Sequence, residues 1–213
     1  MRKTDAIVFA SMNGHKLLEM RALFAKFPEY EILSPSGLLR NASKIGAVET
    51  YSSYADNSAA KARLVNQGCH YPTIADDSGL EVSALDQRPG VHSHRYADLS
   101  GYPSAQAQDQ ANVTKLLGEL TGQTNRQAEF VCHLSLVVEG VLVSAEGRLR
   151  GTIANVPSGQ NGFGYDPVFV PHGETRTFAE MTETEKNKIS HRAVALEALM
   201  QKVKELGIQI AKP

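Results

Sequence analysis

Two adjacent acids are the residues of this chain best suited to chemistry. They lie in the segment Ala75 to Leu80, ADDSGL, in which a hydroxyl and a glycine follow Asp76 and Asp77. The apolar run His70 to Ala75 predicts a buried strand that ends at these acids, and open α/β sheets bind ligands at the carboxyl ends of strands. Neighbouring carboxylates repel unless a cation, hydrogen bonds or a raised pKa compensates. The pair therefore predicts a hard metal ion and a general base, with an exposed acidic turn as the open alternative.

A second polar segment, SMNGHK, separates the first predicted strand from the first predicted helix. It offers backbone amides, a side-chain amide, a hydroxyl and an ammonium group at a helix N-terminus, where anions bind favourably. These groups belong to Ser11, Met12, Asn13, Gly14, His15 and Lys16. The segment therefore predicts a phosphate site that is not a Walker A sequence, and an ordinary helix cap with a surface lysine is the alternative.

A third set of candidates joins a carboxylate to a helix. Glu49 precedes a loop, and Lys61 lies one turn beyond Asn57 on the same face of the following helix. If that face meets the two acids, Glu49 can join Asp77 around a magnesium ion while Lys61 neutralises phosphate. A solvated helix with a charged stripe is the alternative.

The segment Gly159 to Asp166, GQNGFGYD, carries three glycines and two aromatic residues. Glycines let the backbone approach a flat ligand closely, Phe163 or Tyr165 can stack on a base, and Asp166 can accept hydrogen bonds from ring or amine N–H groups. A hairpin loop with no ligand is the alternative. The segment predicts a site for a planar ring.

Further donors cluster near the predicted start of the last helix. His191 and Arg192 can donate to a carbonyl oxygen, and Lys186 can stack or donate. In the alternative interpretation Ser190 is a helix cap and the others lie on the helix surface. Ser190 and His191 do not predict a serine hydrolase, because adjacent residues cannot readily form the required hydrogen bond and no G-x-S-x-G motif is present.

Composition excludes several classes of protein. At 213 residues and 42% hydrophobic content, the chain can bury one core or divide it between two lobes that share a cleft. A formal net charge of -1 gives no general reason to bind nucleic acid or an anionic membrane. Cys69 and Cys132 are far apart and form no CxxC motif, so we expect reduced thiols in a cytoplasmic protein. The apolar run Ala6 to Ala10 is too short for a signal sequence or a membrane span.

Hydrophobic periodicity predicts mixed strands and helices. The predicted strands are Asp5 to Ala10, Tyr30 to Leu33, His70 to Ala75, Gln127 to Val138, Val141 to Ile153 and a short strand near Pro167 to Val170. The predicted helices are one that ends near Pro28, Asn57 to Gln67 with Gly68 at C′, Ser104 to Leu120 and His191 to Leu206. Glu139-Gly140 predicts a hairpin turn between two of the strands. We expect an α/β fold with a long mixed β-sheet and flanking helices.

Taken together and in this order, the motifs resemble the inosine triphosphate pyrophosphatase family. The blocks are Ser11 to Glu19 (SMNGHKLLE), Glu49 to Arg63 (ETYSSYADNSAAKAR), Ala75 to Leu80 (ADDSGL), Pro89 to Ala97 (PGVHSHRYA), Gly162 to Pro167 (GFGYDP) and Ile189 to Arg192 (ISHR). The resemblance implies that residues 1–213 form a single domain whose two lobes surround a central nucleotide-binding cleft. It also implies a homodimer that hydrolyses ITP, dITP and XTP to the monophosphate and pyrophosphate with Mg²⁺.

The resemblance assigns roles by position. Asp77 resembles the general base and a metal ligand, and Glu49 the second metal ligand. The segment from Ser11 to Lys16 would hold the triphosphate together with Lys61 and Ser78. The base and sugar would contact Phe163, Gly164, Tyr165 and Asp166, and the purine would contact Lys186, His191 and Arg192. Three segments depart from the family pattern. Met12 and Tyr51 stand where the family commonly has glycine, and Asp86-Gln87-Arg88 replaces a more glycine-rich stretch that is followed by His94 where a small residue is frequent.

The donors suggest a substrate preference. His191 and Arg192 would satisfy a 6-keto oxygen but would face the donor hydrogens of the 6-amino group of adenine, and such mismatches allow strong discrimination. Two alternatives remain open. One is a pyrophosphatase for pyrimidine or other modified nucleotides, and the other is a nucleotide-binding sensor in which Met12 and Tyr51 have abolished catalysis.

Overall fold

A computed structural model describes residues 5–39, 42–97 and 101–211, without the side chains of residues 43 and 44. The strands are β1 (Asp5–Phe9), β2 (Tyr30–Leu33), β3 (Thr73–Val82), β4 (Gln127–Val138), β5 (Val141–Ile153) and β6 (Phe169–Pro171). The α-helices are α1 (Gly14–Phe24), α2 (Tyr54–Cys69), α3 (Ala105–Glu119), α4 (Glu183–Ile189) and α5 (His191–Glu205). Short 3₁₀ helices cover Ala42–Val48, Ser83–Leu85, Gly90–Arg95 and Phe178–Glu180.

The strands form a mixed sheet in the order β2-β1-β3-β4-β5-β6. β1 pairs in parallel with β2 and β3, whereas β5 and β6 are antiparallel. A two-residue turn with positive φ at Glu139 and Gly140 joins β4 to β5, as expected for a hairpin whose turn must match the twist of its strands. The predicted α/β fold with a long mixed sheet is confirmed.

The chain divides into two compact units. Unit 1 contains residues Met1–Asp77, Cys132–Gly147 and Arg192–Pro213, and unit 2 contains residues Ser78–Val131 and Arg148–His191. The polypeptide therefore passes between the units four times, directly after Asp77, Val131, Gly147 and His191. The predicted single domain with a central cleft stays a prediction.

Unit 1 has an apolar cluster on each face of its strands. Successive strand residues point to opposite faces, so Ile74 packs with residues of α1 and α5, and Ala75 packs with residues of α2. The first cluster includes Phe9, Met20, Leu23, Leu134, Leu196 and Leu199. The second includes Val8, Ala10, Ala62, Val65 and Val137. Each face of β3 in this unit is therefore covered by a different helix layer.

Unit 2 has its own core, built around aromatic rings. Phe130 lies 4.5 Å from Phe169 and 6.0 Å from Phe178 between ring centroids. Leu80 and Leu116 join the same cluster and are completely buried. Burial of side chains this large stabilises the unit by about 1.5–3 kcal/mol each.

Most predicted elements are confirmed, and the differences have physical causes. β2 and the β4–β5 hairpin have the predicted bounds, and α3 begins after the N-cap Ser104, whose side chain accepts from the Ala107 amide. The prediction of Gly68 as a C′ residue is wrong, because α2 continues to Cys69 and His70 adopts the left-handed conformation with φ 58°. Gly68 instead permits close packing, since an added Cβ would lie 2.4 Å from Leu39 Cδ2.

Two further differences affect the site. The prediction that a strand ends at the acids is wrong, because β3 runs from Thr73 through both acids to Val82. Helix α4 was not predicted, although its capping box of Thr182 and Glu185 is visible in the sequence. In the described ranges, no helix combines the length and the apolar character needed to cross a membrane.

Candidate active site

The pleat of β3 separates the two adjacent acids. Asp76 has the same orientation as Ile74, on the face covered by α1 and α5, and Asp77 has the orientation of Ala75, on the face covered by α2. Both carboxylates are buried, with 1% and 7% of their surface exposed. Their mutual repulsion is reduced because each has its own cations on its own face of the sheet.

Asp77 is held by the first turns of α2. Asn57 Nδ2 donates to Asp77 Oδ2 at 3.0 Å, and Lys61 Nζ lies 3.7 Å from Asp77 Oδ1. The Asn57 amide is itself oriented by Tyr51, whose N–H donates to Asn57 Oδ1 at 3.0 Å and whose carbonyl accepts from Nδ2 at 3.1 Å. The structure thus meets the condition set for this helix, that the face carrying Asn57 and Lys61 contacts the acids.

Lys61 is a buried ammonium group surrounded by oxygen atoms. Its Nζ lies 2.5 Å from Glu49 Oε1 and 2.5 Å from the carbonyl oxygen of Asp76, and the side chain is 4% exposed. Burial alone would lower the pKa of Lys61, but the charges of Asp77, Asp76 and Glu49 outweigh burial and raise it. The side chain therefore stays protonated and offers a fixed positive charge.

Burial raises the pKa of Asp77 above its usual range, although Lys61, Lys16 and the hydrogen bond from Asn57 oppose that shift. A carboxylate with a raised pKa is a better proton acceptor at neutral pH. Its environment is therefore suited to a general base.

Glu49 and Asp77 both form ion pairs with Lys61, at 2.5 Å from Glu49 Oε1 and 3.7 Å from Asp77 Oδ1 to Lys61 Nζ. Glu49 Oε1 and Asp77 Oδ1 therefore lie no farther apart than the sum of their two distances to Lys61 Nζ. Both side chains offer only hard oxygen donors. No cluster of three or more His, Cys, Asp or Glu side chains suited to a metal occurs among the described residues. Two carboxylates fit Mg²⁺, which proteins commonly bind through one or two carboxylates together with substrate phosphates.

Asp76 belongs to a different network. Arg192 donates to Asp76 Oδ2 from Nη2 at 2.9 Å and from Nε at 3.3 Å, and Lys16 Nζ lies 3.1 Å from the same oxygen. Arg192 Nη1 also contacts Glu19 Oε2. Burial would raise the pKa of Asp76, but Lys16, Arg192 and Lys61 together hold it well below its usual range. Asp76 is therefore ionised at neutral pH and is held by the cations on its own face of the sheet.

This network bears on the predicted role of Arg192. Its guanidinium is 2% exposed and donates to two carboxylates through three nitrogens. The predicted donation to a purine carbonyl stays a prediction, and the structure gives the group strong protein partners instead. Glu19 was not among the predicted site residues, although its position three residues after Lys16 on α1 places it on the same helix face.

The segment from Ser11 to Lys16 forms the N-terminus of α1. Asn13 is the N-cap, and its Oδ1 accepts from the His15 amide at 2.9 Å and the Lys16 amide at 3.2 Å. Ser11 Oγ accepts from the Asn13 amide at 3.2 Å. Gly14 is the first helical residue, and Met12 is 51% exposed. The helix cap of the alternative interpretation is present, but Lys16 is paired with Asp76 and is 17% exposed. The predicted binding of phosphate stays a prediction.

Unit 2 places the predicted ring-binding residues around one carboxylate. Asp166 Oδ2 accepts from the Phe163 amide at 2.9 Å and lies 2.5 Å from Lys186 Nζ. The same ammonium lies 4.8 Å from the centroid of the Phe163 ring, a distance typical of a cation–π contact. Gly164 donates its amide to Asp109 Oδ2 at 2.8 Å. The loop is thus rigidly held, and the partly exposed Phe163 presents an aromatic ring.

Other predicted residues of unit 2 have buried positions. Tyr165 is 4% exposed, lies in the unit 2 core and donates its hydroxyl to the Ser93 carbonyl at 2.8 Å. Of the two aromatic residues, the structure therefore favours Phe163 for stacking. His191 is 5% exposed and stacks on Phe130, with 4.7 Å between ring centroids and 12° between ring planes. Ser78 is a partly buried residue within β3.

Asn57 contacts Asp77, although it was not predicted to be a site residue. The sequence contained a usable signal, because Asn57 precedes Lys61 by one helical turn. Its function as an orienting amide depends on Tyr51, which no spacing rule predicts.

Comparisons with known proteins identify the family of the chain. The sequence profile of the Ham1 family matches residues 7–202. A relative from Deinococcus deserti, named dITP/XTP pyrophosphatase, is 41% identical over 202 residues, which cover 92% of this chain and 88% of the relative. A relative of the same name from Aquifex aeolicus is 41% identical over 201 residues, with 93% and 96% covered.

Solved structures show the same fold. A HAM1 protein from Coxiella burnetii superposes with a TM-score of 0.78 at 35% identity, covering 95% of this chain and 100% of that one. A structure from Mycobacterium abscessus, described as a nucleoside-triphosphatase / dITP/XTP pyrophosphatase, gives 0.69 at 40% identity, with 92% and 98% covered. The family resemblance is confirmed, and this chain belongs to the Ham1 family.

Proposed function

We propose that the protein hydrolyses ITP, dITP and XTP to the monophosphate and pyrophosphate, in a reaction that requires Mg²⁺. The single observation that carries the proposal is the group in unit 1 formed by the buried residues Asp77, Asn57 and Lys61 with the partly exposed Glu49. The names of the Deinococcus and Aquifex relatives support the substrate class. Removal of such triphosphates from the nucleotide pool is the corresponding role.

In the proposed reaction Asp77 accepts a proton from the attacking water. The water oxygen forms a bond to phosphorus, the bridging P–O bond breaks, and pyrophosphate leaves. Asn57 keeps the Asp77 carboxylate oriented, and Lys61 supplies positive charge to the phosphate oxygens. Glu49 and Asp77 would hold Mg²⁺, which when bound withdraws negative charge from phosphate oxygens.

The remaining groups are assigned by chemistry. The N-terminus of α1, with Ser11, Asn13 and Lys16, is proposed to bind the triphosphate together with Ser78. In unit 2, Phe163 would stack on the base while Asp166 and Lys186 would contact its polar edge. His191 and Arg192 remain the proposed donors to the 6-keto oxygen. We also propose that the protein is a homodimer in the cytoplasm. Analytical sedimentation tests the oligomeric state of the protein.

A substrate panel tests the function. The protein is incubated with ITP, dITP, XTP, GTP, ATP and TTP with Mg²⁺, and pyrophosphate is separated from orthophosphate. We expect rapid release of pyrophosphate from the 6-keto substrates ITP, dITP and XTP, and at least ~10²-fold slower release from ATP, because mismatched hydrogen-bonding groups discriminate strongly. Equal rates for ITP and ATP would refute the specificity, and orthophosphate as the first product would refute the position of cleavage.

The same panel separates the alternatives. A pyrophosphatase for pyrimidine nucleotides would hydrolyse TTP fastest. A nucleotide-binding sensor would be thermally stabilised by ITP with Mg²⁺ but would form no product after long incubation.

A further inference from the structure

A buried polar cluster lies next to the catalytic face of α2. Ser58 Oγ lies 2.8 Å from Ser135 Oγ and 3.0 Å from His133 Nδ1, and it donates to the Ala55 carbonyl at 3.0 Å. Ser58 and Ser135 are completely buried. We call Ser58, His133 and Ser135 the Ser58 cluster. Its hydrogen bonds connect the first turns of α2 to strand β4.

The number of available protons determines how the cluster is hydrogen bonded. The carbonyl of Ala55 can only accept, so Ser58 donates its single hydroxyl proton there. The two lone pairs of Ser58 Oγ then accept from the Ser135 hydroxyl and from a protonated His133 Nδ1. The other neutral tautomer of His133 would leave Ser58 with one proton for two acceptors. The contacts therefore assign the Nδ1–H tautomer to His133.

The side chains around the His133 ring are consistent with a neutral imidazole. Burial lowers the pKa of His133, and the positive charge of Lys202 on α5 acts in the same direction. Glu146 on β5 and Asp56 on α2 oppose that shift without reversing it. A neutral Nδ1–H group supplies the required donor without placing a charge beside two buried hydroxyls.

The register of β4 places the Ser58 cluster on the face of the strand that packs against α2. His133 and Ser135 alternate with Cys132, Leu134 and Leu136, which pack in the cluster of α1 and α5. They therefore share the opposite face with Val137, which packs with Ala62 and Val65 of α2. Ser58 is fixed to this face immediately after Asn57 and three residues before Lys61, the two residues that contact Asp77.

We propose that Ser58, His133 and Ser135 are positioning residues that fix the rotation of α2 on β4 and so align Asn57 and Lys61 with Asp77. An apolar residue at position 58 would pack against the same strand but would leave that rotation less tightly defined. The inference rests on the proposed function for its kinetic test, and a spectroscopic test is independent of catalysis.

The kinetic test compares Ser58→Ala, His133→Val and His133→Asn with the wild-type protein. We expect kcat for ITP to fall about tenfold in Ser58→Ala and His133→Val, with KM changed less than about twofold, because small misplacements of catalytic groups reduce the chemical step. His133→Asn retains a donor near the Nδ1 position and is expected to keep most of kcat. The control is Thr114→Ala, which removes a hydroxyl that donates to the Gln110 carbonyl at an exposed position of α3.

The spectroscopic test uses NMR of the wild-type protein and Ser58→Ala. We expect ¹⁵N shifts of a protonated Nδ1 and an unprotonated Nε2 for His133, and altered, faster-exchanging side-chain amide signals for Asn57 in Ser58→Ala. Unchanged Asn57 signals in Ser58→Ala would overturn the proposal. If the wild-type protein is active, a kcat equal to that of the wild type in Ser58→Ala and His133→Val would also overturn it. If the wild-type protein released no pyrophosphate, the proposed function would be refuted. The Asn57 signals would still test whether Ser58 positions α2.

Discussion

The ion pair between Arg192 and Asp76 makes Arg192→Met the substitution with the clearest expected effect on stability. Both side chains are almost completely buried, with 2% and 1% exposed and 2.9 Å between Nη2 and Oδ2. Removing one partner of a buried pair leaves an uncompensated charge, at a cost of about 3–5 kcal/mol. Lys16 remains 3.1 Å from Asp76 after the substitution, so we expect the lower end of that range.

A loss of about 3 kcal/mol corresponds to a fall in Tm of roughly 6–12 °C for a chain of this length. Thermal and urea denaturation of both proteins measure it. The matched control is Arg150→Met, because Arg150 is 84% exposed and is paired with Glu129 at 3.0 Å. We expect that control to lose no more than about 1 kcal/mol, since exposed ion pairs contribute little.

The double variant Asp76→Asn with Arg192→Met separates the charge from the packing. Asp76 is one of two carboxylates that lose Arg192 as a partner, so we expect its neutralisation in the double variant to recover part of the stability lost by Arg192→Met. Equal, small losses in Arg192→Met and Arg150→Met would refute the argument, because they would show that the Arg192 guanidinium is not needed to compensate a buried carboxylate.

Three further perturbations test separate parts of the structure. Gly162→Ala would place a Cβ 2.0 Å from Asp166 Oδ2 at a φ of 75°, so we expect KM for ITP to rise. The control is Gly140→Ala, at a φ of 79° with open space around it, which should leave KM unchanged. Burial raises the pKa of the Cys132 thiol to about 12, so intact-mass analysis should show that iodoacetamide modifies Cys132 only after unfolding. Because Asp77 has a raised pKa and must be deprotonated to act as a base, kcat/KM should fall with decreasing pH, beginning above the ordinary range of a carboxyl group.

Several features could be predicted because they depend on local sequence. Alternating apolar residues and the Glu139-Gly140 turn fixed both strands of the β4–β5 hairpin at their predicted bounds. The helical spacing placed Asn57 and Lys61 on one face of α2, and the structure meets the condition that this face contacts Asp77. Such features need only the period of a strand or helix and the chemistry of a turn.

Features that depend on distant contacts could not be predicted. The acids resembled a turn because Asp, Ser and Gly favour turns, yet buried Leu80 and Val82 continue β3 beyond them. Arg192 and Glu19 form an ion pair although they are 173 positions apart in the sequence. No spacing rule predicts such a contact. Tyr165 was expected to face a ligand, but only the packing of unit 2 shows that its ring is buried.

Asp77→Asn tests the central claim most directly. The change removes the base and the charge while keeping the shape, and Asp86→Asn is a control at an exposed residue in the left-handed conformation, which asparagine also tolerates. Turnover of ITP with Mg²⁺ is measured beside nucleotide affinity by calorimetry. We expect turnover to fall by about 10³-fold or more, with affinity changed far less, because a base acts in the transition state. Turnover like that of the wild-type protein in Asp77→Asn would contradict the account.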